Sequence, residues 1–344
     1  MKAVYVDDAY TVVVKEVDKP KVGKNEVLIQ VKAAGICGSD IHTYKGLHPF
    51  RKPPVIIGHE IAGEVVEIGG AVTKFKVGDR VTVEPQTGCG HCEYCLTGSV
   101  NYCTGRGAPG IGSWYGAMAE YFAAPEQTVF KLPDGMDYDL GVLVEPFAVG
   151  VHAVRKAGIQ VGDKVAILGA GPIGLLAMAA AKAAGATTTL VTDVMDYALE
   201  IADQMGATHS MNIMNLPDWT EEAKAAIGGD FDKVLIAAGV PGIIDQSLKL
   251  LRKGGRIVTI AMFQGTQTFD IHNLQNQEKE IIGCMTYTRE DTITAIDMLM
   301  AGAVNEQAII SHKLTCEQAA EGFRLVDKKE DQSMKVLVKF EDAN

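Results

Sequence analysis

The chain has 344 residues, enough for two domains that each bury a core, and its 47% hydrophobic and 22% charged content with 37 glycines excludes a disordered or fibrous polymer. The formal charge is −11, from 43 acidic and 32 basic residues spread over the whole length, so no basic stripe exists to neutralise phosphates. Nucleic acid and anionic membrane are therefore poor partners.

The opening residues MKAVYVDDAY place acids where a signal peptide carries its apolar segment, which predicts a cytoplasmic protein. Short β-like runs follow at 26–33 (EVLIQVKA), 61–68 (IAGEVVEI) and 80–84 (RVTVE), separated by turn residues. They predict a mostly β domain over residues 1–147. Within it, Cys89, Cys92, Cys95 and Cys103 lie in a turn-rich lobe, 86–105, with the spacing Cys-x2-Cys-x2-Cys-x7-Cys. Four thiolates so close can wrap one ion tetrahedrally and close its coordination shell, as in a structural zinc site; an iron–sulfur cluster uses the same ligand type.

From 148 to 284 strands and helices alternate, which predicts a parallel sheet covered on both faces. The most apolar stretch, Val165 to Ala181, has seventeen residues, short of the roughly 20 of a bilayer span. Its glycines and Pro172 mark a strand, a tight turn and a buried helix instead. That turn is Gly169-Ala170-Gly171-Pro172-Ile173-Gly174. The first glycine allows the turn, the second admits a pyrophosphate to the backbone, and the third lets helix and strand pack closely, with the helix N-terminus facing the phosphates. Asp193 ends the next strand nineteen residues after Gly174, where a carboxylate takes both ribose hydroxyls and repels a 2′-phosphate. The pattern predicts NAD in preference to NADP. Beyond 285, amphipathic stretches and a final strand at 334–340 fit either domain.

Three further segments carry metal-ligand residue types: Gly35-Ile36-Cys37-Gly38-Ser39-Asp40-Ile41-His42, Gly58-His59-Glu60 and Val144-Glu145-Pro146. A thiolate, an imidazole and carboxylates from separate segments suit a catalytic zinc that keeps one position open for substrate. Taken singly, Cys37 reads equally as a small buried apolar residue and His59 as a turn histidine.

The motifs GICGSDIH, GHE, the four-cysteine lobe, VEP and GAGPIG, in this order over nearly the whole chain, resemble the zinc-dependent medium-chain alcohol dehydrogenases, most of all their sorbitol and polyol branch. The resemblance implies an α/β fold: a GroES-like, mostly β catalytic domain (1–147), a Rossmann doubly wound parallel-sheet domain (148–284), and a C-terminal segment (285–344) that completes the first, with the active site in the cleft between them. It implies two zinc ions per chain. Cys37 and His59 would ligate the catalytic ion, Glu60 and Glu145 would bind it directly or through water, and the four lobe cysteines would hold the structural ion. Ser39 would take the hydroxyl proton and pass it by way of the cofactor ribose to His42. A secondary alcohol of a polyol or sugar-derived substrate would give its hydride to NAD and become a ketone, in a homo-oligomer, tetramer or dimer.

Threonine dehydrogenases are similar but tend to carry Asp-Pro where this chain has Glu145-Pro146, and threonine at the place of Ser39, which counts against threonine as substrate. Two positions depart from the branch pattern. An arginine five residues after the ribose-binding acid is here Ala198, and the Arg-Tyr pair that reaches substrate hydroxyls is here Thr286-Tyr287, which counts against sorbitol itself. Candidate substrate contacts are Tyr44, His48, Phe50, Trp114 and Tyr287; Lys45, Arg51 and Lys52 read as solvated cations. Alternative substrates are a vicinal diol, a threonine-like amino alcohol, a sugar acid and a sugar phosphate.

Overall fold

A computed structural model of the chain describes residues 1–340, which form two compact units. The first contains Met1–Glu145 and the chain from Ile310 onward; the second is Pro146–Ile309. The expected return to the first unit at 285 thus comes later, at 310. The helix Arg289–Met300 explains the difference. It starts in a reciprocal capping box between Thr288 and Asp291 and buries Ala295, Ile296 and Leu299. Asp291 also accepts a 2.7 Å hydrogen bond from His152 Nδ1 and pairs with Arg155 at 3.1 Å, which ties this helix to residues of the second unit.

In the first unit, a seven-stranded sheet runs in the order Ile310–Thr315, Lys335–Lys339, Glu26–Gly35, Glu60–Ile68, Arg80–Val83, Val129–Lys131, with Tyr121–Pro125 also paired to Glu26–Gly35. Tyr121–Pro125 alternates half-exposed and buried residues, as expected of a strand with one face on a core. Val27, Ile29, Val31, Val65, Val81, Phe122 and Phe323 meet in that core.

The second unit is a six-stranded, wholly parallel sheet. Its order is His209–Asn212, Thr188–Asp193, Lys164–Leu168, Phe231–Ile236, Leu251–Thr259, Glu280–Gly283, the doubly wound order whose crevice lies where the chain reverses direction across the sheet. Helices cover both faces, so Val165–Leu168 and Val234–Ile236 are buried throughout and read as continuous apolar runs. Among the described residues no helix is long and apolar enough to cross a membrane.

The buried Asp291 gives this unit an acid-sensitive joint. Burial pushes its carboxyl up, but His152 and the Thr288 amide and hydroxyl outweigh that and hold it below 3.8. A depressed folded-state value means stabilisation that is present above pH 3.8 and lost as pH falls through the depressed value. Asp291→Asn should therefore lower the urea midpoint at pH 7, and its deficit against wild type should narrow below pH 3.8; an equal deficit at both pH values would refute this assignment.

Candidate active site

Three central strands of the first unit end together, and their register builds the site. Gly35 pairs with Glu60 on one side and with Leu337 on the other. Cys37 follows two residues beyond Gly35, His59 immediately precedes Glu60, and Lys335 lies one pleat from Leu337 on the same face. Gly35 is required because a Cβ there would stand 2.0 Å from Glu60 Oε2. Into that space the Glu60 carboxylate folds, fully buried, and Lys335 Nζ donates to its two oxygens at 2.8 and 2.7 Å. Burial opposes the ammonium charge, but Glu60, with Cys37 and Glu145 nearby, raises the Lys335 pKa above 10.5.

His59 sits after Gly58, whose φ of +93° and 2.6 Å clearance from Met118 Cβ admit no side chain. Asp40 Oδ1 lies 3.2 Å from His59 Nδ1, an ion-pair distance with imperfect hydrogen-bond alignment. The other Asp40 oxygen accepts from the Cys37 amide at 3.1 Å, closing the cap of the short helix Gly38–Tyr44. One carboxylate thus fixes both the Cys37 loop and the His59 ring. Such an outer partner sets which ring nitrogen of a histidine is free for a metal. Burial works against a charged His59, yet Asp40 and Cys37 hold its pKa well above 6.5. The cluster attracts positive charge.

Ligand atoms of Cys37, His59 and Glu60 all lie within 4.8 Å of one another. Sulfur, nitrogen and oxygen donors converging this way fit zinc with one position left open. Glu145 stands outside that set. It is buried one helical turn beyond Gly141, where a Cβ would come within 2.9 Å of Ala62 Cβ, and its charge acts on Lys335.

The lobe cysteines form a second set within the same 4.8 Å limit. Cys89 and Cys95 sulfurs are 4.0 Å apart, against about 3.8 Å for the edge of a tetrahedron with 2.3 Å zinc–sulfur bonds. All four thiols are free of disulfides, and Cys92 and Cys103 sulfurs accept amide hydrogen bonds from Cys95 (3.4 Å) and Cys89 (3.3 Å). Backbone N–H groups of His91 and Cys92 pull the Cys89 thiol down to about 6. The lobe therefore has the geometry for a tetrahedral ion, with backbone donors that favour the Cys89 thiolate.

In the second unit the glycine turn behaves as its sequence implies. Gly169 adopts φ +112°, a Cβ on Gly174 would lie 1.9 Å from the Gly169 carbonyl, and a Cβ on Gly171 would meet nothing within 4 Å. The open space is thus at the glycine where a pyrophosphate would approach. Asp193 Oδ2 accepts from the Ala170 amide at 2.7 Å, and Oδ1 from Val194 and Met195 amides at 2.7 and 3.1 Å. Pro172 and Ile173 open the helix Pro172–Ala183 beside it, and Ala198 is buried.

The expected substrate contacts scatter. Tyr44 packs edge-on to Tyr10 and against Phe323 (centroids 5.3 and 5.7 Å). Trp114 stacks on Phe122, donates to the Ala123 carbonyl at 3.0 Å and lines a groove of about 310 Å³ that excludes Cys37 and His59. Tyr287 is only 2% exposed and presents no open ring face. Phe50, 73% exposed, keeps one. Arg51, expected in solvent, is buried, with Nη1 3.4 Å from both Ser39 Oγ and Asp40 Oδ1. Asp40 and Lys335 are central through these contacts; Asp40 stands inside GICGSDIH, whereas Lys335 carries no local signal in the sequence.

Comparison with known proteins agrees with this architecture. Residues 23–134 match the family profile of the alcohol dehydrogenase GroES-like domain, and residues 172–301 that of the zinc-binding dehydrogenases. Sorbitol dehydrogenase of Bacillus subtilis (strain 168) is 35% identical over 344 residues, covering 98% of this chain and 97% of that one. L-threonine 3-dehydrogenase of Pseudoalteromonas translucida is 35% identical, covering 94% of each. The crystal structure of 2R,3R-butanediol dehydrogenase from Bacillus subtilis superposes with a TM-score of 0.91 at 31% identity, covering 99% of each chain. Solved structures of similar chains include one bound to NADP and one complexed with NADH. The chain belongs to the zinc-dependent medium-chain alcohol dehydrogenases. Within them it falls in the sorbitol- and polyol-dehydrogenase-like branch, and it is an oxidoreductase of alcohols.

The Glu60–Lys335 pair makes a sharp prediction. Lys335→Met should cost about 3–5 kcal/mol in urea unfolding, because it strands a buried carboxylate. The double variant Lys335→Met/Glu60→Gln should recover most of that loss; no recovery would show that Lys335 acts through packing alone.

Proposed function

We propose that the protein oxidises a secondary alcohol of a polyol or sugar-derived substrate to a ketone with NAD. The observation that carries the reading is the sulfur, nitrogen and oxygen set of Cys37, His59 and Glu60, with Ser39 on the adjoining helix. Cys37 and His59 would hold a catalytic zinc, with Glu60 or Glu145 as carboxylate ligand, direct or through water; Cys89, Cys92, Cys95 and Cys103 would hold a structural one. Zinc bound there would supply Lewis-acid polarisation of the substrate hydroxyl, and a bound nicotinamide would supply the hydride acceptor. The chain's own groups manage the rest. Asp40 orients His59, Lys335 neutralises Glu60, and Ser39 would take the hydroxyl proton, with His42 three residues on along one helix face as its onward acceptor.

The dinucleotide would lie over Gly169, Gly171, Pro172, Ile173 and Gly174, with Asp193 at the ribose. Three amides already fix that carboxylate, which supports NAD by charge repulsion of a 2′-phosphate. The reading includes a cytoplasmic homo-oligomer, tetramer or dimer. A second reading, a vicinal diol or a threonine-like amino alcohol, draws on the names of the butanediol and threonine dehydrogenases that this chain resembles. NADH formation across a panel of polyols, diols and threonine separates them; activity on threonine or butanediol with none on any polyol or sugar acid would overturn the first.

Metal analysis should find two zinc ions per chain, falling to one in Cys37→Ser with the fold retained. An unchanged count in that variant would remove Cys37 from the metal site. For Asp193→Ser, kcat/KM should shift at least tenfold towards NADP, and an unaltered preference would place the discrimination elsewhere.

A further inference from the structure

We infer that the turn from His48 to Arg51 is a carboxylate-binding arm beside Ser39, and that the alcohol oxidised is a sugar acid or a related hydroxy acid. The inference rests on Ser39 being the group that meets the reacting hydroxyl, and it narrows the substrate class.

The argument begins with unused donors. His48 Nδ1 accepts the amides of Phe50 (3.2 Å) and Arg51 (2.9 Å). With its Nδ1 lone pair engaged, the neutral ring carries its proton on Nε2, and that N–H bonds to no described residue. Arg51 is 8% exposed. Of its five guanidinium N–H donors, only those on Nη1 find acceptors, Ser39 Oγ and Asp40 Oδ1, both at 3.4 Å. Nε is buried without a partner, and Nη2 bonds to no described residue but is not sealed from solvent. An arginine built only to brace Asp40 would form a paired contact near 2.7–2.9 Å. Asp40 is instead shared three ways, with His59 at 3.2 Å and the Cys37 amide at 3.1 Å as well as Arg51. The guanidinium charge is therefore only partly compensated, in a place where an unmet charge is costly.

The position of these donors sets what they can hold. A hydroxyl that gives its proton to Ser39 lies about 2.7 Å from Oγ. Nη1 lies 3.4 Å from the same oxygen, which puts it no more than about 6 Å from that hydroxyl, a span that a carboxylate on a neighbouring carbon of the substrate can bridge. The Nε2–H of His48 and the guanidinium of Arg51 are donor-only groups, which suit an oxyanion better than a neutral hydroxyl that brings its own proton to place. One guanidinium suits a carboxylate. A phosphate calls for a second cation; Lys45 is paired with Asp327 at 2.6 Å, and Lys52 is exposed, donating to the Gly46 carbonyl at 3.3 Å.

The test compares five- and six-carbon aldonates with the matching alditols and with their phosphate esters, in wild type, Arg51→Gln, Arg51→Lys and His48→Gln, at measured zinc content and Tm. Wild type should favour the aldonate. In Arg51→Gln the aldonate-to-alditol ratio of kcat/KM should fall about 100-fold, mainly through KM, because a charged hydrogen bond is lost. Arg51→Lys should recover part of the ratio, and His48→Gln, a milder change at a half-buried site, should lower it about tenfold. A wild-type preference for alditols or phosphate esters would overturn the inference. So would an unchanged ratio with both rates reduced, which would make Arg51 a brace for Asp40. Failure of the underlying dehydrogenase reading has a different signature: zinc-replete wild type that reduces neither NAD nor NADP with any alcohol.

Discussion

A carboxylate and an ammonium, both withdrawn from water, face each other where three strands of the first unit meet. Glu60 and Lys335 are 0% and 2% exposed and touch through both carboxylate oxygens. Neither charge tolerates that environment alone, so each depends on the register that brings the other to it. The register places Gly35 between Glu60 and Leu337, and the missing side chain of Gly35 is the space the carboxylate fills. Cys37 and His59 inherit their places from the same strands. The cluster of Cys37, His59 and Glu60 is thus a consequence of sheet pairing between residues as distant in sequence as Glu60 and Lys335.

Charge alternates outward from that point. Lys335 faces Glu60, Cys37 and His59 adjoin, Asp40 stands behind His59, and Arg51 stands beside Asp40. Each buried charge is matched by the next, and the compensation weakens with distance from the sheet, from 2.7 Å at Lys335 to 3.4 Å at Arg51. The tight inner contacts make a rigid donor set. The looser outer ones leave Arg51 donors without acceptors. The second unit solves a different problem with the same economy, since Asp193 is held by three backbone amides and needs no partner side chain.

Much of this was legible in the chain because it is local. The glycine turn at Gly169–Gly174, the acid at Asp193 and the four lobe cysteines each act within a few residues of themselves, so spacing alone carries their chemistry. The aromatic candidates were not legible in this way. Tyr44, Trp114 and Tyr287 lie near ligand loops or at a family position in the sequence, but ring packing decides their places: Tyr44 between Tyr10 and Phe323, Trp114 on Phe122, Tyr287 in the interior. The division at Ile310, beyond the 285 read from the sequence, has a related cause. The amphipathic pattern of 289–300 predicts a helix but is silent about which core its apolar face meets, and the His152–Asp291 contact settles that.

By itself, then, the sequence determined the two-unit α/β plan, the residue types able to ligate a metal, the glycine turn between strand and helix and the family, because each is written in residue identity and short spacing. Tertiary structure alone decided that Lys335 neutralises Glu60, that Glu145 stands apart from the tight donor set, and that Arg51 is buried beside Ser39. Those facts arise from strand register and from burial. Both are sums over contacts between distant segments, and a charged side chain reads the same in the sequence whether water or protein surrounds it.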